Sequence, residues 1–318
     1  QGTSSSAWRT SSSDATANVS APIRWAKHLN REAGGTMTDR VYIGLHSNAA
    51  TGTARGTLGL YRSASGTQTP NQIALANALA AEVNDDLVSL NGEFEHNWYD
   101  RSGHTLGGVF GEISNSIINN EFDATILETM FHDNATDAQL IRDPKVREAV
   151  SQATVQGLIK YFNNVDSGAT SLDYAPERVT DLRAESNGDG TITLNWTAPT
   201  GSSGLGDAPD GFMVYRSLNG RNFDGGTYVS GGTTSSYTVT GLDDANGTHY
   251  FRVNAVNDGG ESLSSTVVAS TPLNTTSSVL IVNGFDRNDR GLNVRESFGA
   301  GTIDRTRSLF QNSFDYAI

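Results

Sequence analysis

Apolar positions fall into two textures, one in each half of the chain. In the first half, short continuous apolar runs alternate with stretches of helical spacing. Val41-Tyr42-Ile43-Gly44-Leu45 has the length of a buried strand, and Leu58-Gly59-Leu60-Tyr61 and Ala124–Leu127 read the same way. Ile23, Trp25, Ala26 and Leu29 form a short amphipathic patch that reads as helix. Residues 1–20, Ser/Thr-rich and apolar-poor apart from Trp8, read as loop or as the frayed remnant of something longer. From Asn71 to Leu90, Ala76, Leu79, Ala80, Val83 and Leu87 recur at helical spacing behind Pro70. Asp143-Pro144 supplies an N-cap and then proline at the first helical position, and Val146, Val150, Ala153, Ile159 and Phe162 carry that helix to about Asn163. Strands alternating with helices predict an α/β layered domain over residues 1–163.

Residues 164–175 form a polar linker, and beyond it the helical periodicity stops. Thr191–Trp196, Phe212–Tyr215, Ser236–Val239 and Tyr250–Val256 alternate polar and apolar, with turn-rich breaks between them. That is the pattern of an antiparallel β-sandwich, here spanning residues 176–272. After Pro272 a Thr/Ser-rich link leads to Val279-Leu280-Ile281-Val282, which reads as the first strand of a third domain, 278–318, of α/β type and cut short. The fold class predicted is therefore multidomain: α/β, then an all-β sandwich, then the start of a further α/β unit.

Composition narrows the functions available. The net charge of −13 argues against nucleic acid, whose phosphates call for clustered Lys and Arg. No run approaches the ~20 apolar residues of a membrane helix, so no membrane insertion is expected. Cysteine is absent, which removes thiolate metal sites and thiol nucleophiles. A strong site must then combine the 6 His with the 35 acidic residues.

Two residues stand out by position. His46 ends the apolar run 41–45 and Glu128 ends the run 124–127. A polar residue just past a buried strand sits where an open α/β sheet presents ligands. If the two strands are parallel neighbours, imidazole and carboxylate converge on one cleft; otherwise each is an ordinary strand-end surface residue. His96 and His104 fall in a polar, Gly-containing stretch near Trp98 and Tyr99, a loop over such a cleft. His132 follows the Glu128 segment, with a surface role or a hydrogen bond within the site both open. Glu112, in Gly111-Glu112-Ile113, is the runner-up acid, and Glu32 reads as an exposed helix end.

Val41–Ala49, a strand followed by His46-Ser47-Asn48-Ala49, resembles the His-x-Asn-Ala motif of zinc-dependent N-acetylmuramoyl-L-alanine amidases. Ala124–Asn134, a strand ending in Glu128 and followed by Phe131 and Asn134, resembles that family's later motif. The resemblance implies hydrolysis of the amide between the lactyl group of N-acetylmuramic acid and L-alanine in peptidoglycan, in an extracellular, cell-envelope or periplasmic setting of a bacterium. It implies Zn²⁺ as cofactor, His46 as a metal ligand and Glu128 as the catalytic carboxylate, with Asn48, His104 and His132 as weaker substrate-binding candidates. In that family two His and one Glu hold the metal. A Gly-His-Gly-type first ligand turn and its Glu do not occur before His46. The domain is therefore expected to lack its opening strand and two ligands, and the fragment to be of doubtful activity.

Residues 176–272 resemble a fibronectin type III domain. Pro176 is expected to open the first strand, Trp196 to fill the core, and Tyr250, after Gly241-Leu242 and Gly247-Thr248, to be the buried tyrosine-corner residue. Two other functions fit the same residues: an extracellular glycan- or partner-binding protein with a degenerate amidase fold, and a zinc peptidase of related fold. Oligomeric state is left open.

Overall fold

The computed structural model describes residues 4–7, 9–29, 36–64, 66–242 and 247–272. Trp8, Glu32 and the predicted strand Val279–Val282 lie outside the described residues. The chain divides into two compact units between Leu172 and Asp173.

The first unit opens with helix α1 (Asp14–Leu29), which begins inside the Ser/Thr-rich stretch expected to be loop. The reason is local capping. The Ser13 hydroxyl accepts the Thr16 N–H at 3.4 Å, and Asp14 puts a negative charge in the first turn. There follow β1 (Val41–Asn48), β2 (Leu58–Arg62), α2 (Gln72–Ser89), β3 (Thr105–Gly108) and a single 3₁₀ turn at Gly111–Ile113. Then come α3 (Asn115–Ile118), β4 (Asp123–Phe131), α4 (Ala135–Leu140) and α5 (Pro144–Val165). Asp143 caps α5 by accepting the Lys145 N–H at 2.9 Å, with Pro144 at the first position as its missing N–H allows.

The four strands make one mixed sheet in the order β1-β4-β2-β3. Strand β4 is the pivot: it pairs parallel with β1 and antiparallel with β2. Leu75, Leu79, Val83 and Leu87 of α2 meet Leu127, Val146, Ala153 and Tyr161 in one core cluster. On the other sheet face Ile23 of α1 packs with Leu58, Leu60, Ile113, Ala124 and Ile126. Helix α2 rides very close on the sheet: a Cβ on Gly59 would stand 2.1 Å from the Ala76 carbonyl oxygen, so only glycine fits there. The start of β4 is pinned by the fully buried Asp123, which accepts from the Tyr161 hydroxyl at 2.7 Å and from the Asn71 backbone N–H at 2.8 Å.

One acidic side chain works against the first unit's stability. Burial first, then the nearby Glu82, pushes Asp86 up from the ordinary 3.8 to about 7, with Lys160 opposing the shift and Asp85 adding to it. Its Oδ2 is buried without a hydrogen-bond partner. Because the folded state holds the proton more tightly than the unfolded one, the group favours folding below about pH 4. That advantage is lost as pH rises through about 7. Asp86→Asn is therefore expected to raise the melting temperature at pH 8, by an amount corresponding to about 1–2 kcal/mol after discounting for solvent screening. The gain should close towards pH 4. Melting curves of both proteins at the two pH values check this, and an equal difference at both would refute it.

The second unit is all β: β5 (Thr180–Ser186), β6 (Ile192–Thr197), β7 (Gly211–Ser217), β8 (Thr227–Ser230), β9 (Ser236–Val239), β10 (His249–Asn257), β11 (Gly260–Glu261) and β12 (Val268–Ser270). One sheet runs β5-β6-β9 and the other β11-β10-β7-β8, with β12 also on β10, all antiparallel. Ile192, Leu194, Trp196, Phe212, Val214, Phe251, Val253 and Ala255 form the core between them. Pro176 does not open a strand, since the first ladder starts at Thr180.

Tyr250 is not the buried residue expected. The two-residue period of β10 turns His249, Phe251, Val253 and Ala255 inward, so Tyr250 falls on the outer face and is half-buried over Gly220. His249 is fully buried instead, its ring 6.5 Å from that of Phe251.

Candidate functional site

Strands β1 and β4 lie side by side and parallel, and their register makes His46 the direct partner of Glu128. Both residues sit within their strands, not just past them: β1 runs on to Asn48 and β4 to Phe131. The pairing slips between His46 and Asn48, so Asn48 faces Phe131. An irregularity of this kind re-aims side chains at a strand end. Partners in a parallel pair point to the same side of the sheet. His46 and Glu128 therefore share the face that carries Tyr42, Gly44 and Ile126, with α1 and the 3₁₀ turn packed over it.

Glu112 enters the same space from that turn. Its carboxylate accepts from the Tyr42 hydroxyl at 2.5 Å and lies 3.2 Å from His46 Nε2. Gly44 makes the room: a Cβ there would come within 2.6 Å of Glu112 Oε1. The turn itself is tied down, since Arg62 donates to the Phe110 carbonyl and Gln72 to the Ile113 carbonyl, each at 3.0 Å. Burial, reinforced by the Glu112 carboxylate, holds the Tyr42 hydroxyl far up its scale, so Tyr42 is the donor in that bond.

Glu128 is almost fully buried, and its Oε2 has no hydrogen-bond partner. Loss of water raises its pKa above the ordinary carboxylate value; His46 and His132 pull it down and Glu112 pushes it up. A carboxyl poised this way holds and releases a proton nearer neutrality than a solvated one.

The weaker candidates divide. His132 is exposed but reaches the site's edge through Ser47, whose hydroxyl lies 3.0 Å from His132 Nδ1. Asn48 takes the His132 backbone N–H on its carbonyl oxygen at 2.9 Å, and its side-chain oxygen accepts from the Ala49 N–H at 2.8 Å. His104 precedes β3, two strands across from β4, and its carbonyl accepts the Gly59 N–H at 2.8 Å. His96 lies against Gln139, with 2.5 Å between Nε2 and the amide oxygen. A separate cleft of about 610 Å³ opens beside Gly111, lined by Thr16, Ser20, Arg62, Ser114 and Ser116, and neither His46 nor Glu128 borders it.

Residues 10–160 match the N-acetylmuramoyl-L-alanine amidase family, and residues 175–271 match the fibronectin type III domain. The chain joins an amidase-family domain to a fibronectin type III domain. The family match supports peptidoglycan amide hydrolysis in general as the activity class of the first. No curated protein matches the chain. Among solved structures it is similar to the FN5 domain of Drosophila Lar, at 18% identity over 31% of this chain and 98% of that one, TM-score 0.24. It is also similar to the third fibronectin III domain of human KIAA0343 protein, at 18% identity over 33% and 90%, TM-score 0.27. A Fn3-like protein from Clostridium thermocellum shares 27% identity over 30% and 91%, TM-score 0.24.

The described residues of the amidase domain bring His46 and Glu128 together but do not gather a full set of zinc ligands around them. Among the described residues no three His, Asp or Glu side chains converge as a metal-binding group. His46 offers an imidazole, but one of its nitrogens already faces Glu112. Glu112 is the residue that the sequence underrated. Its signal was Gly44: a glycine in the middle of an apolar strand marks a place where something must approach closely. Among the described residues no helix is long and apolar enough to cross a membrane.

Proposed function

We propose that the amidase domain hydrolyses the amide between the lactyl group of N-acetylmuramic acid and L-alanine in peptidoglycan, outside the bacterial cytoplasm. The observation that carries this reading is the register of β1 on β4, which makes His46 and Glu128 direct neighbours. Glu128 takes the proton of the attacking water and returns it to the leaving amine, a role suited to a buried carboxyl with one oxygen free of protein partners. His46 borders the reacting position, oriented by Glu112. Ser47, Asn48 and His132 shape the rim where the stem peptide enters.

A second reading is a peptidoglycan-binding protein whose amidase fold no longer cleaves. It is favoured by the His46–Glu112 pair, which occupies one of the ring nitrogens. Incubating the protein with purified sacculi, with and without added zinc and with and without a chelator, separates the two. Release of stem peptides with free N-terminal L-alanine supports hydrolysis. Release that a chelator abolishes and zinc restores adds metal-activated water to the mechanism. Sedimentation of the protein with sacculi without release supports the second reading, and neither binding nor release overturns both.

A further inference from the structure

The cleft beside Gly111 is lined by hydroxyls and one cation: Thr10, Thr16, Ser20, Ser114 and Ser116 border it together with Arg62. Among the described residues no Asp or Glu lines it, in a chain with 35 acidic residues against 22 Lys and Arg. Asp14, in the first turn of α1, is held by Arg9 at 2.7 Å. Arg62 is fixed before any ligand arrives. Its backbone N–H donates to Gln72 Oε1 at 2.8 Å, and its carbonyl accepts from the Gln68 amide. Its guanidinium donates to Thr67 Oγ1 at 3.1 Å and to the Phe110 carbonyl at 3.0 Å. A guanidinium has five N–H donors, so two are used and three are left. Among the described residues Nη2 has no hydrogen-bond partner. A cation already held by its own protein loses little freedom when it takes an anion.

Strand register places this cleft relative to the chemistry. Leu58 of β2 pairs with Glu128, and Arg62 lies four residues further along the same strand. Four residues span about 13 Å, and the even count keeps Arg62 on Glu128's face of the sheet. Because β2 runs antiparallel to β4, the direction is towards the start of β4, away from the Ser47 and Asn48 rim assigned to the stem peptide. The other half of the scissile amide, the lactyl group and its sugar, then extends towards Arg62. We infer that the Arg62 cleft is a glycan subsite, in which the hydroxyls bond sugar oxygens and the guanidinium takes the free lactyl carboxylate of a muramic acid residue already stripped of its peptide. Planar guanidinium and carboxylate match in shape and charge. A separation of about 13 Å is too long for the lactyl group being cleaved, so the residue read is a neighbour along the strand. This deepens the proposed function and rests on it for the direction in which the substrate lies.

The test is calorimetric titration of the full chain with three probes that contain no muramoyl amide to cleave. They are glycan strands stripped of their stem peptides, N-acetylglucosamine oligosaccharides of the same length, which carry no carboxylate, and a free stem peptide. The stripped strands are expected to bind, and the neutral oligosaccharide to bind on the order of tenfold more weakly, as loss of a charge-assisted bond requires. The stem peptide should not displace the stripped strands. Arg62→Gln should bring the stripped strands down to the affinity of the neutral oligosaccharide. Because Arg62 also ties down the 3₁₀ turn, Thr16→Glu is the second variant. Thr16 is exposed in the first turn of α1, where a carboxylate suits the helix, and the change adds negative charge to the cleft without removing any bond of Arg62. It should weaken the stripped strands on the order of tenfold and leave the neutral oligosaccharide unchanged. Equal affinities for the two glycans, displacement by the stem peptide, or stripped-strand binding unmoved by Thr16→Glu would overturn the inference. Cleavage of sacculi by a chain that ignores stripped strands would remove the subsite and leave the proposed function standing. Binding of stripped strands without cleavage of sacculi would keep the subsite and remove hydrolysis.

Discussion

Glu128→Gln is expected to lower release of stem peptides from sacculi on the order of 10²–10⁴-fold, the usual contribution of a positioned general base. The argument is one of protonation, not of shape. Glutamine fills the same buried volume on β4 and keeps an oxygen in place, but it neither takes a proton from water nor returns one to an amine. The fold should persist, because the carboxyl's Oε2 makes no bond within the protein that the amide would forfeit. Removing a carboxylate that burial disfavours costs the folded state nothing at neutral pH. The expected pattern is thus retained sedimentation with sacculi, a melting temperature no lower than the wild type's and lost turnover. Equal turnover in mutant and wild type would remove Glu128 from the chemistry.

The second large effect lies in the fibronectin module. Trp196→Ala is expected to destabilise it by about 3–5 kcal/mol. Trp196 is 5% exposed, and its ring packs on Phe212 at a centroid distance of 5.2 Å. Among the described residues Trp196 belongs to the buried cluster that joins β5 and β6 of one sheet to β7 and β10 of the other. Its Nε1 is buried without a partner, so the ring contributes by packing and not by hydrogen bonding. Trp196→Phe should therefore recover most of the loss, whereas an indole held by its N–H would not be replaced by a phenyl ring. Chemical denaturation of the three proteins, followed by the module's own strand signal, decides between these outcomes.

How much of this was legible before the structure depends on what kind of force sets each feature. Strands β1, β2 and β4 and helices α2 and α5 follow from apolar spacing and capping, because their burial is written into consecutive residues. That β1 lies beside β4 is a tertiary fact, and the two ordered motifs around His46 and Glu128 anticipated it. The start of α1 was missed because hydroxyl residues favour caps and turns as readily as loops, and Ser13 uses its hydroxyl as a cap. Tyr250 was misplaced by a single residue. In a strand a one-residue slip exchanges faces, and His249 takes the inward position. Glu112 arrives from a turn between β3 and α3 whose path no local spacing encodes. Only the gap at Gly44 hinted that a partner was coming.

The loop from Ala49 to Thr57 is fastened along its length to the segment that follows Glu128. Asp133 accepts the N–H groups of Ala50 at 2.8 Å and Gly52 at 3.0 Å, and Asn134 donates to the Gly52 carbonyl at 2.9 Å. Buried Asp137 takes the Gly56 N–H at 2.9 Å and the Arg55 guanidinium at 2.7 Å. To swing aside, this border would have to break all of these bonds together. Under the proposed function, a peptide entering beside Ser47 and Asn48 would meet a border held in place before it arrives, so that little energy would be spent on reshaping it.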